Sequence, residues 1–520
     1  MLEGFLMNRK IPDPPLPEVL ISTNETKNLI AKRVARGRMR KLGPRLYTTD
    51  MTSDPKAIIR RHLWQIVAGY CPGAILADRT GLESGPAPDG SVFVISDRVR
   101  KVELPGITIN SRKGQGPLPS DRPFMRDLFL PSRSRGFIEN FVPTRKIGGV
   151  SRTLPRAEIE SRLEREIAAI GPEGANALRD LAQEIAPALG LEAEVKELSA
   201  VIGAMLGTRE AALSAPAAIA RAEGRPYDPK RLERFVEFQT TLHDTSPVIR
   251  QAAPLSDAGR ANLAFFEAYF SNFIEGTEFP VAEAREIVFD GVIPEDRPAD
   301  AHDVLGTFRV VSDVNEMSRT PETVEDLLAI LRRRHAMIME ARPDKRPGRF
   351  KDRPNHTGGR YFVAPDLVEG TLVRGFDIYR SLDAGFPRAA FMAFLIAEVH
   401  PFADGNGRIS RVMMNAELVS TGEQRILIPS VYRNNYLAAL RALTNDGYGR
   451  PLVRTLDFAQ RYARSLPFDR FEEAEWVMAA TRAFMKPDEA DEEGVRLEMP
   501  NDDLLSEAQA RFRRSAQTLS

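Results

Sequence analysis

The sequence predicts a mainly α-helical protein whose minor β content lies before about residue 150. Residues 155–245 are rich in Ala, Leu, Glu and Arg and contain few helix breakers, which is typical of long helices. Between residues 85 and 150, Gly and Pro alternate with β-prone stretches such as SVFVIS and VELPGITIN, a pattern that indicates short strands. Beyond residue 250, apolar segments at helical spacing predict a helical bundle with one hairpin.

Composition limits the classes of protein to which the chain can belong. Its 72 Lys and Arg residues balance 72 Asp and Glu residues, which excludes a uniformly basic nucleic-acid coat protein and an acidic tail protein. The single cysteine, Cys71, excludes an internal disulfide bond and a Cys-rich zinc site. Neither a secretory signal nor an apolar run of roughly 20 residues is recognised. We therefore expect a cytoplasmic protein without membrane contact.

The first 70 residues have the outline of a winged helix-turn-helix. Residues 11–17 are too proline-rich for a helix and predict an extended arm. A short helix is expected over 24–36, and the alternating stretch from 38 to 50 predicts a small hairpin. Residues 57–70 are expected to form a strongly apolar helix. This order of helix, glycine and hairpin is typical of a DNA-binding module.

Positive charge is concentrated in the same module. Between Asn24 and Leu46, eight basic residues oppose the single acid Glu25, which gives a local net charge of +7 (8 − 1). The basic residues are Lys27, Lys32, Arg33, Arg36, Arg38, Arg40, Lys41 and Arg45. Duplex DNA is a partner with complementary charge, and Lys32, Arg33, Arg38 and Arg40 are the expected phosphate contacts. A solvated face, or a face that binds an acidic protein, stays open as the alternative.

Four helices are expected before one informative segment in the second half of the chain. They cover residues 257–275, 321–341, 369–384 and 387–399. The last of them leads directly into His400–Arg411, HPFADGNGRISR, and a second apolar helix, ISRVMMNAELV, closes the segment. Gly405, Asn406 and Gly407 tolerate unusual backbone angles and close approach by a ligand. Their N–H groups and the following helix N-terminus are expected to form an anion cradle.

The charged residues of this segment suit nucleotide phosphate chemistry. Arg408 and Arg411 are three residues apart and lie on one helix face, from which guanidinium groups can contact phosphates. Asp404 supplies a hard oxygen ligand for Mg²⁺. His400 has an ordinary pKa near 7 and can act as a general base. The alternative is a tight turn between two core helices, with His400 as a cap.

HPFADGNGRISR resembles the Fic family signature, HPFx(D/E)GNGRxxR, at every defined position. The resemblance covers about residues 255–465 and implies a helical Fic core with a β-hairpin flap. It also implies transfer of AMP from ATP to a Ser, Thr or Tyr hydroxyl of a target protein, with release of pyrophosphate. In that scheme His400 deprotonates the hydroxyl and Asp404 binds Mg²⁺. Gly405, Asn406 and Gly407 hold the phosphates together with Arg408 and Arg411.

Other segments extend the resemblance. Ser271 to Gly276, SNFIEG, is similar to the family's inhibitory pattern (S/T)xxxE(G/N), in which the glutamate, here Glu275, pairs with the second motif arginine, here Arg411. The alternative is a solvated glutamate on an amphipathic helix. Residues 349–365 correspond to the flap that pairs with the target backbone, or are an ordinary surface hairpin. Tyr436 and Asn445 lie where family members often contact adenine, although Gly447-Tyr448 departs from the commoner GD ending.

The N-terminal region contains VARGRMRKLGPRLYTTD, followed by IIRRHLWQIVAGYCPGAILADRTGLE. On these residues it resembles, over about residues 15–200, an AbiEi-type antitoxin or transcriptional regulator. The two resemblances imply four parts of the chain. They are a winged-helix-like α+β module at 1–150, a helical connecting region at 151–250, a Fic domain at 251–470 with its inhibitory helix at 257–276, and a charged tail at 471–520. The leading interpretation is an auto-inhibited protein adenylyltransferase.

Two alternatives to this interpretation stay open. The first is a DNA-binding regulator whose Fic core senses nucleotide. The second is a Fic transferase that uses another donor, such as UTP or a phosphocholine carrier. The sequence leaves open whether the protein forms a homodimer, and it does not identify the target protein.

Overall fold

The computed structural model describes residues 16–144, 150–245, 248–357 and 359–518. The extended arm expected at residues 11–17 lies almost wholly outside these ranges. Contacts within the chain divide it into two compact units, residues 1–224 and 225–520. The finer division into four parts stays a prediction.

The N-terminal unit begins with a small antiparallel sheet and one helix. Its strands are β1 (Val19–Ile21), β2 (Arg40–Gly43) and β3 (Leu46–Thr48), in the order β1-β3-β2, and helix α1 (Lys27–Ala35) connects the first two in sequence. Ile30 of α1, Leu42 of β2 and Leu46 of β3 are buried. The predicted helix and hairpin are thus confirmed.

A six-stranded mixed sheet follows. Two helices, α2 (Pro55–Arg61) and α3 (Leu63–Tyr70), take the place of the single helix predicted over 57–70. The single-helix prediction is wrong because the backbone leaves helical geometry at His62, with φ −110° and ψ 22°. The remaining elements are β4 (Ile75–Leu76), α4 (Asp78–Glu83), β5 (Ser91–Ile95), β6 (Arg100–Leu104), β7 (Ile107–Arg112), β8 (Arg122–Pro123), β9 (Phe129–Leu130) and α5 (Arg133–Phe141). The strand order is β6-β7-β5-β4-β9-β8.

Three helices complete this unit: α6 (Arg156–Leu189), α7 (Glu192–Met205) and α8 (Pro216–Ala222). Helix α6 is broken at Gly171, where φ is 71° and therefore not helical. The next residue, Pro172, has no N–H and cannot donate a helical hydrogen bond. Leu163, Ile167 and Leu198 are buried between the helices. This arrangement confirms the helical composition predicted for this stretch.

The C-terminal unit is a helical bundle with one short hairpin. Its helices are α9 (Pro229–Asp244), α10 (Asp257–Ile274), α11 (Val281–Arg285), α12 (Pro298–Ser312), α13 (Val314–Met317), α14 (Val324–Ile338), α15 (Val368–Tyr379), α16 (Phe386–Val399), α17 (Asn406–Ser420), α18 (Arg433–Asp446), α19 (Arg450–Arg464), α20 (Phe471–Ala480), α21 (Pro487–Glu493) and α22 (Asp502–Thr518). The hairpin strands are β10 (His356–Thr357) and β11 (Arg360–Tyr361). Each of the four helices predicted between residues 257 and 399 is present, and apart from the hairpin the described strands lie before residue 131.

Helices α16 and α17 form the centre of this bundle. Almost every residue of α16 is buried, because its apolar and small side chains leave no polar face. Phe391 and Phe394 pack against Phe235 and Phe238 of α9. Ser410 of α17 donates a hydrogen bond to the carbonyl of Ala393 at 2.8 Å. Two buried helices therefore hold both ends of the segment between them. Among the described residues, no helix is both long and apolar enough to span a membrane.

Candidate active site

The loop between α16 and α17 is shaped by its own sequence. Helix α16 ends at Val399. The next residue, His400, caps it with left-handed angles of φ 54° and ψ 60°, and Pro401 cannot continue the helix. The side chain of Asn406 closes the loop, since its Oδ1 accepts the N–H of Phe402 at 2.8 Å and its Nδ2 donates to the Phe402 carbonyl at 2.9 Å. Gly405, with φ 74°, precedes the first residue of α17. The predicted turn into a helix N-terminus is present.

His400 has the protonation state that a general base needs. Its Nδ1 lies 3.2 Å from the carbonyl oxygen of Ala397, and donation to that oxygen places the proton on Nδ1 and leaves Nε2 as an acceptor. Burial, with a smaller contribution from the positive charge of Lys351, lowers the pKa of His400 to about 4. The ring stacks on Phe362 with centroids 3.7 Å apart. At neutral pH the imidazole is therefore uncharged and held by its neighbours.

Lys351 and Asn355 hold the segment that carries His400, and sequence reasoning missed both. The N–H of Lys351 donates to the carbonyl of Pro401 at 2.9 Å, and Nδ2 of Asn355 donates to the carbonyl of Phe402 at 2.9 Å. Nζ of Lys351 donates to Oδ1 of Asn355 at 2.6 Å. Burial lowers the pKa of Lys351 to about 7. No pattern in the sequence distinguishes this lysine from its basic neighbours.

His335 of α14 fixes the loop from the other side. Its ring is fully buried and stacks on Phe402 with centroids 3.7 Å apart. Nδ1 accepts the N–H of Gly348 at 2.9 Å, so the proton lies on Nε2, which donates to the main-chain oxygen of Asp404 at 3.0 Å. Burial lowers the pKa of His335 to about 4. In the sequence, His335 is recognisable only as a histidine on the apolar face of a helix. That position does not predict a hydrogen bond to Asp404.

Arg411 is held by the end of helix α10. Its NH2 lies 2.8 Å from Oε1 of Glu275 and 2.7 Å from the carbonyl of Ser271, and its Nε donates to Oγ of Ser271 at 3.0 Å. The Glu275 carboxylate also lies against the backbone of Gly407, where an added Cβ would collide with it. The structure therefore brings Ser271, Glu275 and Arg411 together and places the carboxylate beside the N-terminus of α17.

Arg408 is engaged by a carboxylate that the sequence analysis did not single out. Its NH1 lies 2.7 Å from Oδ2 of Asp303 in α12 and 3.4 Å from Oδ1 of Asn272 in α10. Asp303 also accepts from Nε and NH2 of Arg342 at 3.0 and 2.8 Å. Nε of Arg408 is buried without a hydrogen-bond partner. This guanidinium is thus fixed by an ion pair, and one of its donors is unsatisfied.

Asp404 has the features of a ligand for a metal ion that accompanies phosphates. Oδ1 accepts the N–H of Gly405 at 2.7 Å, and the side chain is 47% exposed. No group of three or more His, Cys, Asp or Glu side chains that could hold a metal occurs in the described ranges. Mg²⁺ commonly binds through one or two carboxylates and the phosphates of its substrate. A single half-exposed carboxylate fits Mg²⁺ delivered with a nucleotide.

The two residues expected near adenine differ in their surroundings. Tyr436 of α18 is 1% exposed, and burial raises its pKa, with opposing smaller effects from the charges of Arg411 and Glu275. It therefore lies beside that ion pair. Asn445 is exposed at the end of α18, and its carbonyl lies 3.4 Å from NH2 of Arg234. A contact of either residue with adenine stays a prediction.

The hairpin expected within residues 349–365 is present as β10 and β11, with His356 opposite Tyr361 and Thr357 opposite Arg360. It is fixed to the bundle through Glu398, whose Oε1 accepts from NH2 of Arg360 at 2.6 Å and also from Arg231. NH2 of Arg231 donates to the carbonyl of Tyr361 at 2.8 Å. Glu398 lies two residues before His400, so the end of α16 places the anchor of the hairpin next to the candidate base.

Residues 324–418 match the family model described as Fic/DOC family. This segment is a Fic domain. It contains His335, Lys351 and the whole loop from His400 to Arg411, whereas Glu275 lies N-terminal to it.

Curated relatives are similar to less than half of the chain. The protein adenylyltransferase Fic of Drosophila persimilis is 27% identical over 226 residues, which are 41% of this chain and 41% of that protein. The protein adenylyltransferase Fic of Drosophila melanogaster is 27% identical over 241 residues, 44% of this chain and 46% of that protein. The chain therefore spans less than half the length of these relatives.

Solved structures with Fic in their names are similar to this chain as well. Fic-1 (residues 134–508) from C. elegans is 20% identical, with a TM-score of 0.32, and the match covers 58% of this chain and 89% of that one. A Fic domain containing signaling protein from Bacteroides thetaiotaomicron is 20% identical, with a TM-score of 0.34, and the match covers 44% and 93% of the two chains.

Proposed function

We propose that this protein transfers AMP from ATP to a hydroxyl of a target protein and releases pyrophosphate. The observation that carries the proposal is the neutral imidazole of His400, stacked on Phe362 shortly before the N-terminus of α17, in a segment that matches the Fic family model. The relatives named protein adenylyltransferase support the same reaction class. A core that only senses nucleotide has no use for a base in this position.

In the proposed reaction, Nε2 of His400 accepts the proton of the target hydroxyl as its oxygen attacks the α-phosphorus of ATP. The new bond joins that oxygen to AMP, and the bond to the pyrophosphate oxygen breaks. N–H groups at Gly405, Asn406 and Gly407 and the positive end of α17 bind the phosphates. Mg²⁺ held by Asp404 would neutralise phosphate charge. Positioning and charge neutralisation supply most of the rate in such transfers.

We further propose that Glu275 inhibits the reaction in the state described here. Its carboxylate neutralises Arg411 and occupies space beside Gly407. The phosphates of ATP are anions that need the same arginine and the same helix N-terminus. Productive docking of ATP therefore requires Glu275 to leave. An ordinary surface glutamate would not be joined to a buried arginine of the motif helix by a 2.8 Å contact that Ser271 reinforces.

The test is incubation of the purified full chain with Mg²⁺ and ATP, UTP or GTP labelled on the α-phosphate, followed by detection of label on protein. Label from ATP is expected on this chain or on proteins of an added extract. His400→Ala is expected to lose transfer while still binding ATP, because the base acts on the hydroxyl. Label from UTP alone would favour the alternative donor. Near-normal transfer by His400→Ala would exclude His400 as the base.

The N-terminal unit supports a second activity, binding of duplex DNA. Lys32, Arg36, Arg38 and Lys41 are exposed on and after helix α1. Arg40, expected among the phosphate contacts, is turned inward instead, since its Nε donates to the carbonyl of Asp50 at 2.8 Å. We propose that Lys32, Arg36, Arg38 and Lys41 contact DNA phosphates. A transcription-regulator role would rest on this activity.

A further inference from the structure

Positive charge surrounds the flap of a chain that has no net charge. From Arg342 to Arg360 there are seven basic residues and two acids, a local net charge of +5 (7 − 2). The basic residues are Arg342, Lys345, Arg346, Arg349, Lys351, Arg353 and Arg360, and the acids are Asp344 and Asp352. The flap strands β10 and β11 lie at the end of this segment.

Most of these basic groups are already used within the protein. Arg342 binds Asp303, Arg360 binds Glu398, Arg346 pairs with Asp352 and Lys345 with Asp344. Lys351 is buried. Arg349 and Arg353 remain: both are exposed, and neither has an ion-pair partner among the described side chains. Their charge is therefore free to act on a molecule that approaches the flap.

Arg349 and Arg353 stand close to the catalytic loop. Each lies two residues from Lys351, and two residues span at most about 7 Å. Lys351 is itself hydrogen-bonded to Pro401, the neighbour of His400. The backbones of both arginines therefore lie near the loop that carries His400.

The flap contributes an aromatic surface at the same place. Phe362 covers one face of the His400 ring, whereas the preceding residue, Tyr361, is 65% exposed and packs edge-on against His356 with ring centroids 5.5 Å apart. A protein whose hydroxyl reaches His400 must cover this exposed pair. Tyr and Arg are the residue types that contribute most at such interfaces.

We propose that the target protein carries an acidic segment beside the hydroxyl that is modified, and that Arg349 and Arg353 bind this segment while Tyr361 packs against it. The inference rests on the proposed function and specifies its substrate class. Charge complementarity is the argument for the occupant, because two exposed arginines near the loop that carries His400, without an ion-pair partner among the described side chains, attract carboxylates and repel basic segments. The effect must weaken as salt rises, since exposed charges are screened.

The test measures binding and transfer separately. Two fluorescein-labelled peptides of equal length carry one central Thr, flanked in one by Asp and Glu and in the other by Lys. Their affinity for the full chain is measured by fluorescence anisotropy, and AMP transfer to them is measured with the Glu275→Gly variant. The acidic peptide is expected to bind and to accept AMP at least about tenfold better at low salt, within the range of electrostatic steering. Equal affinity for both peptides would overturn the inference.

Matched variants locate the effect. The double variant Arg349→Glu, Arg353→Glu is expected to remove the preference for the acidic peptide. The control Arg454→Glu, Arg461→Glu makes the same change of charge at two exposed arginines of α19 and is expected to keep it. An equal loss in both variants would show a general charge effect and contradict the proposed surface. Tighter binding of a duplex DNA of equal charge, lost in the same flap variant, would assign the surface to nucleic acid instead.

Failure of the inference and failure of the proposed function give different results. Acidic preference in binding without AMP transfer to any peptide or protein would contradict the transferase proposal alone. Transfer of AMP to both peptides at equal rates would contradict the acidic-target proposal alone. Thermal unfolding of each variant shows whether the folded state is retained.

Discussion

His335 fixes the main chain at Asp404 through a 3.0 Å hydrogen bond from Nε2 to the Asp404 carbonyl oxygen. The histidine lies on α14, 69 residues before the loop that it supports. Its Nδ1 accepts the N–H of Gly348. The ring therefore connects the segment before the flap, at Gly348, with the loop at Asp404, where the expected anion cradle begins. Neither backbone segment can shift without losing a bond to a fully buried ring.

Replacement of His335 is expected to impair turnover more than substrate binding. In His335→Ala the Asp404 carbonyl and the Gly348 N–H lose their partner, and a displacement of about 1 Å in the loop can lower a rate about a hundredfold. We expect kcat to fall by about tenfold to a hundredfold, with a smaller change in KM for ATP. Steady-state kinetics in the Glu275→Gly background measures both.

His335→Gln provides the matched control, because the amide can still donate to the Asp404 carbonyl. It is expected to recover part of the lost kcat. Thermal unfolding of both variants separates this effect from loss of the fold, since an unsatisfied buried group costs about 1–3 kcal/mol. A His335→Ala enzyme with unchanged kcat would show that the loop keeps its geometry without this bond.

Removal of the Glu275 carboxylate is expected to activate the enzyme. Glu275→Gly frees Arg411 and the space beside Gly407, so the phosphates of ATP can align with His400. An increase in transfer of about a hundredfold would match the rate lost through misalignment of the reacting atoms by about 1 Å. Glu275→Gln, which keeps the size and removes the charge, is expected to give an intermediate increase.

The double variant Glu275→Gly, His400→Ala is expected to be inactive, because release of the inhibitory contact cannot replace the base. Equal initial rates of labelled AMP transfer for the wild type and Glu275→Gly would show that the Glu275–Arg411 pair is structural and has no inhibitory role.

The charge of Lys351 is expected to appear in the pH dependence of transfer. Burial, and secondarily the nearby Lys351 ammonium, lower the pKa of His400 to about 4. A base with a lowered pKa stays unprotonated, and therefore active, as pH falls toward that value. Lys351→Met removes the repulsion, so the acid limb of the kcat profile is expected to move to higher pH.

Lys351→Arg keeps the charge and is expected to keep the acid limb near its original position. Rates between about pH 3.5 and 8 in the Glu275→Gly background give profiles that include the acid limb expected near the pKa of His400, about 4. An unchanged acid limb in Lys351→Met would mean that burial alone sets the pKa of His400.

Binding of duplex DNA by the full chain is expected to weaken steeply with salt. Four phosphate contacts, from Lys32, Arg36, Arg38 and Lys41, release counterions and predict a slope of about −3 to −4 in a plot of log affinity against log salt. Lys32→Glu, Arg38→Glu is expected to reduce the slope by about two. Fluorescence anisotropy with a labelled duplex measures it, and the flap variant Arg349→Glu, Arg353→Glu is the control.

Absence of DNA binding at low salt by a folded full chain would contradict this proposal. The basic face would then remain a solvated surface or a site for an acidic protein.

The sequence by itself determined the local geometry of the catalytic segment. A glycine before the helix, an asparagine that closes on its own loop and a proline after the histidine are sufficient to end one helix and begin the next, because turns and caps depend on residues a few positions apart. Apolar periodicity likewise predicted the main helices of the bundle. It did not predict the break at His62, since the residues around it have a continuous helical pattern and only the backbone angles interrupt it.

Only the tertiary structure decided which distant side chains complete the site. His335, Lys351 and Asp303 lie between about 50 and 100 residues from their partners in the catalytic loop. A sequence pattern contains no information on such pairs, because they form where packed helices meet. Because these groups are buried, each needs a partner: an unpaired polar group in the core raises the free energy of the folded state. The twelve-residue motif was thus sufficient to predict the loop and to propose its catalytic residues, whereas the groups that hold that loop in place follow from the packing of the bundle.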